Sequence, residues 1–261
     1  MRLRERPPAL NDAAAYIPSR RYYVDWLSEI GESVRLESST VAVAVCYWDN
    51  LLQVHQIAKE QWHMLALCCL RIAAKFEEAE ERVPTMSELG KIVRNLDKPI
   101  APESLRLLEV YVLQRLGWEL TRVTPLHVVG HLLAAGVVYE DDLWQGRPIV
   151  NKIPAYIKKY SDFFAALCLQ EFCFQKHMPT LLAAAIVAAA RRALSIAPVW
   201  REELTEATGY SEEDIAEPFD AVWNHYLVSF PAHAGRIDSS PNKAASPKRE
   251  SPKTVMADAD L

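Results

Sequence analysis

The residues of this 261-residue chain that could do chemistry are few and scattered. His127 and His131 stand at i and i+4, the spacing by which a helix offers two imidazoles to zinc. A zinc hydrolase of that kind needs Glu after the first His as its base; here position 128 is Val, and no third ligand is evident. No glycine-rich phosphate loop occurs, and no Ser or Cys sits in a nucleophile elbow. Cys46, Cys68, Cys69, Cys168 and Cys173 form no C-x-x-C pair. All but one lie in apolar runs, so they read as reduced core thiols of a cytosolic or nuclear protein. What remains is polar groups in apolar company. Lys75 ends a strongly apolar run, where an ammonium needs an acceptor or water. Glu109 lies between Leu108 and Val110. On spacing alone these favour a Lys75–Glu109 or Lys75–Glu78 surface pair, worth little to stability. Phe76, beside them, reads equally as core packing or as an apolar anchor.

The elements that must position these groups are helices. Tyr22, Trp26, Leu27, Ile30 and Val34 follow amphipathic helical spacing. Val41, Val45, Trp48 and Leu52 repeat it, as do Leu65, Cys69, Ile72 and Phe76, then Leu105, Leu108, Val112 and Leu116. The breaks carry helix-end chemistry. Thr85 with Glu88 is a capping box. Pro102 suits a first helical turn, Gly117 a left-handed residue closing the helix, and Thr124-Pro125 an N-cap with N1.

The second half repeats the plan, with helices expected over 128–138, 156–169, 180–194 and 200–207, and a last one opened by the Ser211–Asp214 capping box. Each half has one central helix apolar on nearly all sides, over 65–76 and 180–194. The expectation is an all-α chain of two tandem bundles of about five helices each, related by internal duplication. The divisions are an N-terminal extension at 1–16, bundles at 17–122 and 123–230, and a disordered tail at 231–261, where Ser, Pro, Lys, Ala and Asp replace apolar periodicity.

Composition supports this. Half the residues are hydrophobic and only 8 are Gly, which favours helices over turn-rich or phosphate-loop scaffolds. A net charge of −5 argues against nucleic acid as the main partner. The N-terminus has no apolar run of a secretory signal, and the most hydrophobic stretch, 181–190, is too short to span a bilayer. Pro179 and Arg191-Arg192 bound that stretch. No membrane partner, cofactor or metal is expected.

At this point a family resemblance is carried by specific strings. Arg20-Arg21-Tyr22-Tyr23-Val24-Asp25-Trp26-Leu27 resembles the first helix of a cyclin box, and Ser39 to Val45 with Tyr47 to Leu52 the second. Ala73-Ala74-Lys75-Phe76-Glu77-Glu78 matches the family's most recognisable string, and Leu108-Glu109-Val110 through Leu116-Gly117-Trp118 resembles the fifth helix. Tyr160 to Phe164, Met178 to Ala185, and Trp200 with Thr208 to Ser211 resemble the C-terminal cyclin fold. The resemblance runs from Ile17 to Phe230. Within the family it is most similar to the J subgroup, through Arg82-Val83-Pro84 and Gln170 to Phe174.

The resemblance implies a non-catalytic subunit that forms a heterodimer with a cyclin-dependent Ser/Thr protein kinase and activates it, in the nucleus and cytoplasm, in cell-cycle control and cell division. The first bundle would dock on the kinase C-helix and favour the state in which the kinase's Lys–Glu pair positions ATP. By motif match the kinase-binding residues are Lys75, Phe76, Glu77, Glu78 and Glu109. Lys75→Glu or Glu109→Lys is then expected to abolish kinase binding with helicity unchanged. Kinase substrates or inhibitors would dock on the first helix at Tyr22, Tyr23, Trp26 and Glu29, with Lys59, Trp62 and His63 opposite. Ser19, Tyr22 and Tyr23 replace the aliphatic residues usual there, and the two tyrosine rings would fill or reshape the groove. Ser240, Ser246 and Ser251 precede proline near basic residues, the form such kinases phosphorylate. The alternative is a cyclin-fold scaffold or transcription-factor-like binding protein that activates no kinase.

Overall fold

Some helix ends in this protein are closed by side chains that satisfy orphaned backbone groups, and others open on a proline in the first turn without a side-chain cap. The computed structural model describes residues 14–85, 88–90, 102–149 and 152–231. Among these the helices are α1 (Ile17–Ser33), α2 (Ser38–Val54), α3 (Trp62–Glu77), α4 (Pro102–Arg115) and α5 (Pro125–Ala135). They continue as α6 (Ile153–Gln170), α7 (Pro179–Ala193), α8 (Glu202–Thr208) and α9 (Glu212–Ser229). The Thr85–Glu88 box forms, with the Thr85 N–H donating to the carboxylate at 2.8 Å. The Ser211–Asp214 box also forms, its equivalent bond again 2.8 Å. Thr124 opens α5 as expected, but its box partner is His127, whose Nδ1 accepts from the Thr124 N–H at 3.2 Å. Gly117 adopts φ +62° after α4, and the Trp118 N–H returns to Leu113 O at 2.9 Å, the six-to-one bond of a helix stop.

Two cores result. The first surrounds α3, buried from Trp62 to Ala74 on most faces, against Tyr23, Leu27, Trp48 and Leu51. Buried indoles there are satisfied: Trp48 Nε1 donates to Trp62 O at 3.3 Å and Trp62 Nε1 to Ile57 O at 2.9 Å. The second surrounds α7, against Phe164, Val222, Trp223 and Tyr226. Tyr16 lies beyond the expected start of the first bundle yet is buried in its core, edge-on to Trp48. Phe172, from the second half, also joins the first core.

Arg20 joins the halves. It binds Asp49 of α2 through Nε and Nη2, and donates to Leu169 O and Gln170 O at the end of α6 at 2.9 and 3.1 Å. Gln170 Nε2 donates back to Asp25 at 2.6 Å.

The structure departs from the sequence expectation in detail. α5 ends at Ala135, where Gly136 takes φ +100°, so Val137 is buried outside the helix. Trp200 likewise precedes α8. Three two-residue strands, β1 (Leu143–Trp144), β2 (Arg147–Pro148) and β3 (Ile196–Ala197), form an antiparallel sheet in the order β2-β1-β3. Arg191, expected as a polar boundary of the apolar helix, is fully buried inside it. The expected tail lies outside the described residues beyond Pro231, and Ser240, Ser246 and Ser251 with it. No helix of the described residues is long and apolar enough to cross a membrane. No cluster of three or more metal-ligating side chains occurs among them.

α1 and α2 approach closely at Gly31, where a Cβ would collide with Val41 Cγ2. Gly31→Ala is therefore expected to destabilise by about 1–3 kcal/mol, since β-branched Val41 has little freedom to yield. Gly130, in α5, has open space around it. Gly130→Ala is expected to gain up to about 1 kcal/mol from helix propensity. Urea unfolding of the two variants separates the effects; equal midpoints would show that α1 and α2 do not approach this closely.

Candidate functional site

α3 places Arg71 and Lys75 one turn apart, and α4 lays Glu109 across them. Lys75 Nζ donates to Glu109 Oε2 at 2.8 Å. Arg71 Nη1 donates to Oε1 of the same carboxylate. Glu109 is 7% exposed. Of the three, Lys75 lies outermost, its side chain 45% exposed against 16% for Arg71. The intramolecular Lys75–Glu109 pair therefore exists, and Lys75 still faces solvent with donors to spare.

The other expected site residues divide. Phe76 points outward, 47% exposed, so it is not core packing. Glu77 turns towards the second bundle, its Oε2 lying 3.2 Å from His127 Nε2. Because His127 Nδ1 accepts from the Thr124 N–H, the ring proton of the neutral tautomer sits on Nε2 and donates to Glu77. Glu78, expected on the docking surface, is instead a buried cap for α2. Its Oε1 accepts from the Glu37 N–H and the Thr40 hydroxyl, each at 2.7 Å, and Arg82 pairs with Oε2 at 3.3 Å. A carboxylate there satisfies an orphaned donor and opposes the positive end of the helix dipole.

On the side that faces away from the core, opposite Glu109, α4 is also apolar. Leu105, Val112 and Leu116 are buried, whereas Leu107, Val110 and Tyr111 are exposed. Leu107, at 73%, is nearly free of neighbours. Positions 107, 110 and 111 follow i, i+3, i+4 and make a single stripe. Trp118, just past the helix stop, is also exposed. Arg71 and this stripe were not singled out from sequence. The signal was present: Arg71 is a charge inside an apolar run, and 107, 110 and 111 are the apolar residues left over once the core register of α4 is assigned.

The expected substrate-docking patch is mostly closed. Tyr23 and Trp62 are core residues, and of the set Tyr22, Glu29 and Lys59 are exposed, with Trp26 half-buried. The His63 ring fills the space between, its centroid 5.9, 4.7 and 5.1 Å from those of Tyr22, Tyr23 and Trp26. Burial lowers the His63 pKa and pushes the Tyr23 hydroxyl up to about 12. The ring Nδ1 shares a hydrogen bond with the Tyr23 hydroxyl across 3.2 Å.

Comparison with known families returns two matches, the cyclin N-terminal domain over residues 8–121 and the cyclin C-terminal domain over 149–256. The chain belongs to the cyclin family. Its similar relatives include a cyclin-D of Ostreococcus tauri, 33% identical over 206 residues. A cyclin-J of Xenopus laevis is 31% identical over 208 residues, and the human cyclin-J 30% over 208. The alignments cover 78% of this chain and 53–54% of those proteins, so the chain spans about half the length of the curated relatives it matches. The cyclin-J relatives accord with the J-subgroup resemblance of the sequence.

Solved structures share the cyclin fold at low identity. A viral cyclin from herpesvirus saimiri superposes with a TM-score of 0.62 at 16% identity, covering 83% of this chain and 88% of that one. A chain of the yeast RNA Pol II CTD kinase complex CTDK-1 gives 0.60 at 16%, covering 85% and 69%. A chain of the Chaetomium thermophilum CAK complex bound to ATP-gamma-S gives 0.61 at 14%, covering 86% and 67%.

Proposed function

We propose that this cyclin is the regulatory subunit of a cyclin-dependent Ser/Thr protein kinase, binding the kinase through α3 and α4 and favouring its active state. The observation that carries the reading is the Lys75 ammonium, anchored by Glu109 yet open to solvent, next to an outward-facing Phe76, with Leu107, Val110 and Tyr111 also exposed on the outer side of α4. Covering four partly exposed side chains offers roughly 5 kcal/mol of gross hydrophobic gain. Association and ordering costs oppose it. Driving an inactive kinase from 1:99 to 99:1 needs about 5.5 kcal/mol of preference for the active state, so the apolar stripe must act with specific polar contacts. Lys75 supplies these, donating to backbone carbonyls near the kinase C-helix. Glu109 is not a free acceptor, because both its oxygens are engaged; it aims Lys75 at this face in the free protein. Two of the solved structures that share the fold are kinase complexes, which supports this class of partner. Work in cell-cycle control, in nucleus and cytoplasm, belongs to the same proposal.

The test is co-expression with a panel of cyclin-dependent kinases, purification through the cyclin, and assay of the eluate for histone phosphorylation, with Lys75→Glu as control. Capture of one kinase, with activity lost in the control, is expected. Mapping phosphates on the cyclin in the same reaction tests Ser240, Ser246 and Ser251 as sites of the bound kinase. A folded protein that brings down no kinase would move the reading to a scaffold without kinase activation.

A further inference from the structure

We infer that Arg71 is a positioning residue: it holds the charge of Glu109 so that Lys75 is free to leave that carboxylate and engage the partner. This rests on the kinase-binding reading above.

Glu109 is the deepest of the three groups and Lys75 the shallowest. A buried carboxylate with a single counter-charge locks that counter-charge in place, because releasing it strands the carboxylate in a poor solvent. With one cation, Lys75 would serve either Glu109 or a partner, but not both at low cost. The second cation removes the conflict. Arg71 already donates through Nη1 to Oε1, independently of the Lys75 bond to Oε2.

Arg71 is also under-used. Among the described residues its only hydrogen bond is the one from Nη1, and its Nε–H is buried with no acceptor. A guanidinium placed only to brace the fold is expected to resemble Arg191, whose donors are all engaged. Arg71 instead holds Glu109 through one nitrogen and keeps other donors unused, so its guanidinium can turn to take both oxygens when Lys75 withdraws. Its fixed charge and planar fork suit this; a second lysine would not do it as well.

The local charge balance fits as well. Arg71 and Lys75 against Glu109 leave one positive charge, and the outermost of the two cations carries it to the surface. The partner segment that meets it presents carbonyl or carboxylate acceptors.

The test begins on the free protein. Amine reactivity of Lys75 is read by competitive acetylation with acetic anhydride and mass spectrometry, in wild type, Arg71→Met and Arg71→Met/Glu109→Gln. Losing Arg71 makes Lys75 the sole counter-charge, so its labelling is expected to fall by roughly three- to tenfold. Removing the Glu109 charge as well is expected to restore it. The second arm measures affinity for the kinase recovered from the panel, where Arg71→Met weakens binding about tenfold and the double variant regains part of it. Unchanged labelling in Arg71→Met would overturn the inference. A fall that the double variant does not reverse would also overturn it, since Arg71 would then act through packing. The labelling arm needs no kinase, so its failure is distinct from failure of the kinase-binding reading.

Discussion

Asp142→Ala is expected to cost the protein roughly 3–5 kcal/mol and to open the second bundle, because it leaves Arg191 buried without a counter-charge. Arg191 rises from the middle of the second core and has no exposed surface. Its Nη1 and Nη2 donate to the two Asp142 oxygens at 2.8 and 2.7 Å. Its remaining donors reach Val137 O at 2.6 Å, Pro198 O at 2.6 Å and Val199 O at 3.0 Å. One side chain thereby ties α7 to the loop after α5 and to the segment after β3. A loss of this size is a large part of a typical 5–15 kcal/mol total. It corresponds to a fall of roughly 6–20 °C in thermal midpoint. Replacing the pair by Arg191→Met with Asp142→Leu does not restore stability, as it can for a simple ion pair, because three backbone carbonyls then lose their donors. Thermal unfolding of single and double variants checks this; recovery in the double would show that those carbonyls find other partners.

The same site sets a pH response. Burial raises the Asp142 carboxyl, but bonds from Arg191, the Tyr139 N–H and Arg201 overcome it, and the net shift is downward. A group depressed in the folded state contributes stability above its unfolded pKa and loses it as pH falls through the folded one. Acid unfolding in wild type therefore draws on this site, and Asp142→Ala removes that contribution.

How much was legible in the sequence follows from the range of each interaction. Capping is local, so Thr85 with Glu88, Gly117, Thr124-Pro125 and Ser211 with Asp214 mark helix ends within a few residues. The two central helices are legible because a run apolar on all faces has nowhere to go but the middle of a bundle. Long-range polar contacts were hidden. Asp142 and Arg191 are 49 residues apart, and an arginine ending an alanine-rich run looks like a solvated boundary. Glu78 reads as part of a surface string until the start of α2, 38 residues earlier, is seen to use it as a cap. The small sheet was illegible because two-residue strands carry no periodicity. At the candidate site, residue types and spacing left Lys75–Glu109 and Lys75–Glu78 as alternative pairs, and the structure makes the first. Arg71 and the outer stripe of α4 were masked by the assumption that apolar residues in an amphipathic helix all serve the core.

That outer stripe supplies the sharpest test of the kinase-binding face. Leu107→Glu is expected to weaken kinase binding about a hundredfold, as for a hot-spot residue, while leaving the free protein within about 0.5 kcal/mol of wild type. Its side chain is too exposed to be part of the core, so folding does not depend on it. Placing a carboxylate on the stripe forces desolvation of a charge on docking. Glu109→Lys behaves differently from the sequence expectation that helicity stays unchanged. It buries a third cation against Arg71 and Lys75, so it costs roughly 3–5 kcal/mol and loses binding through misfolding. Lys75→Glu keeps the fold, because Arg71 remains to hold two carboxylates near the surface. Circular dichroism with calorimetric titration against the captured kinase separates the three. Leu107→Glu and Lys75→Glu should bind weakly with normal helicity and midpoint, and Glu109→Lys should lose both. Normal kinase binding by Leu107→Glu would place the docking surface elsewhere on the first bundle and leave the stripe without a role.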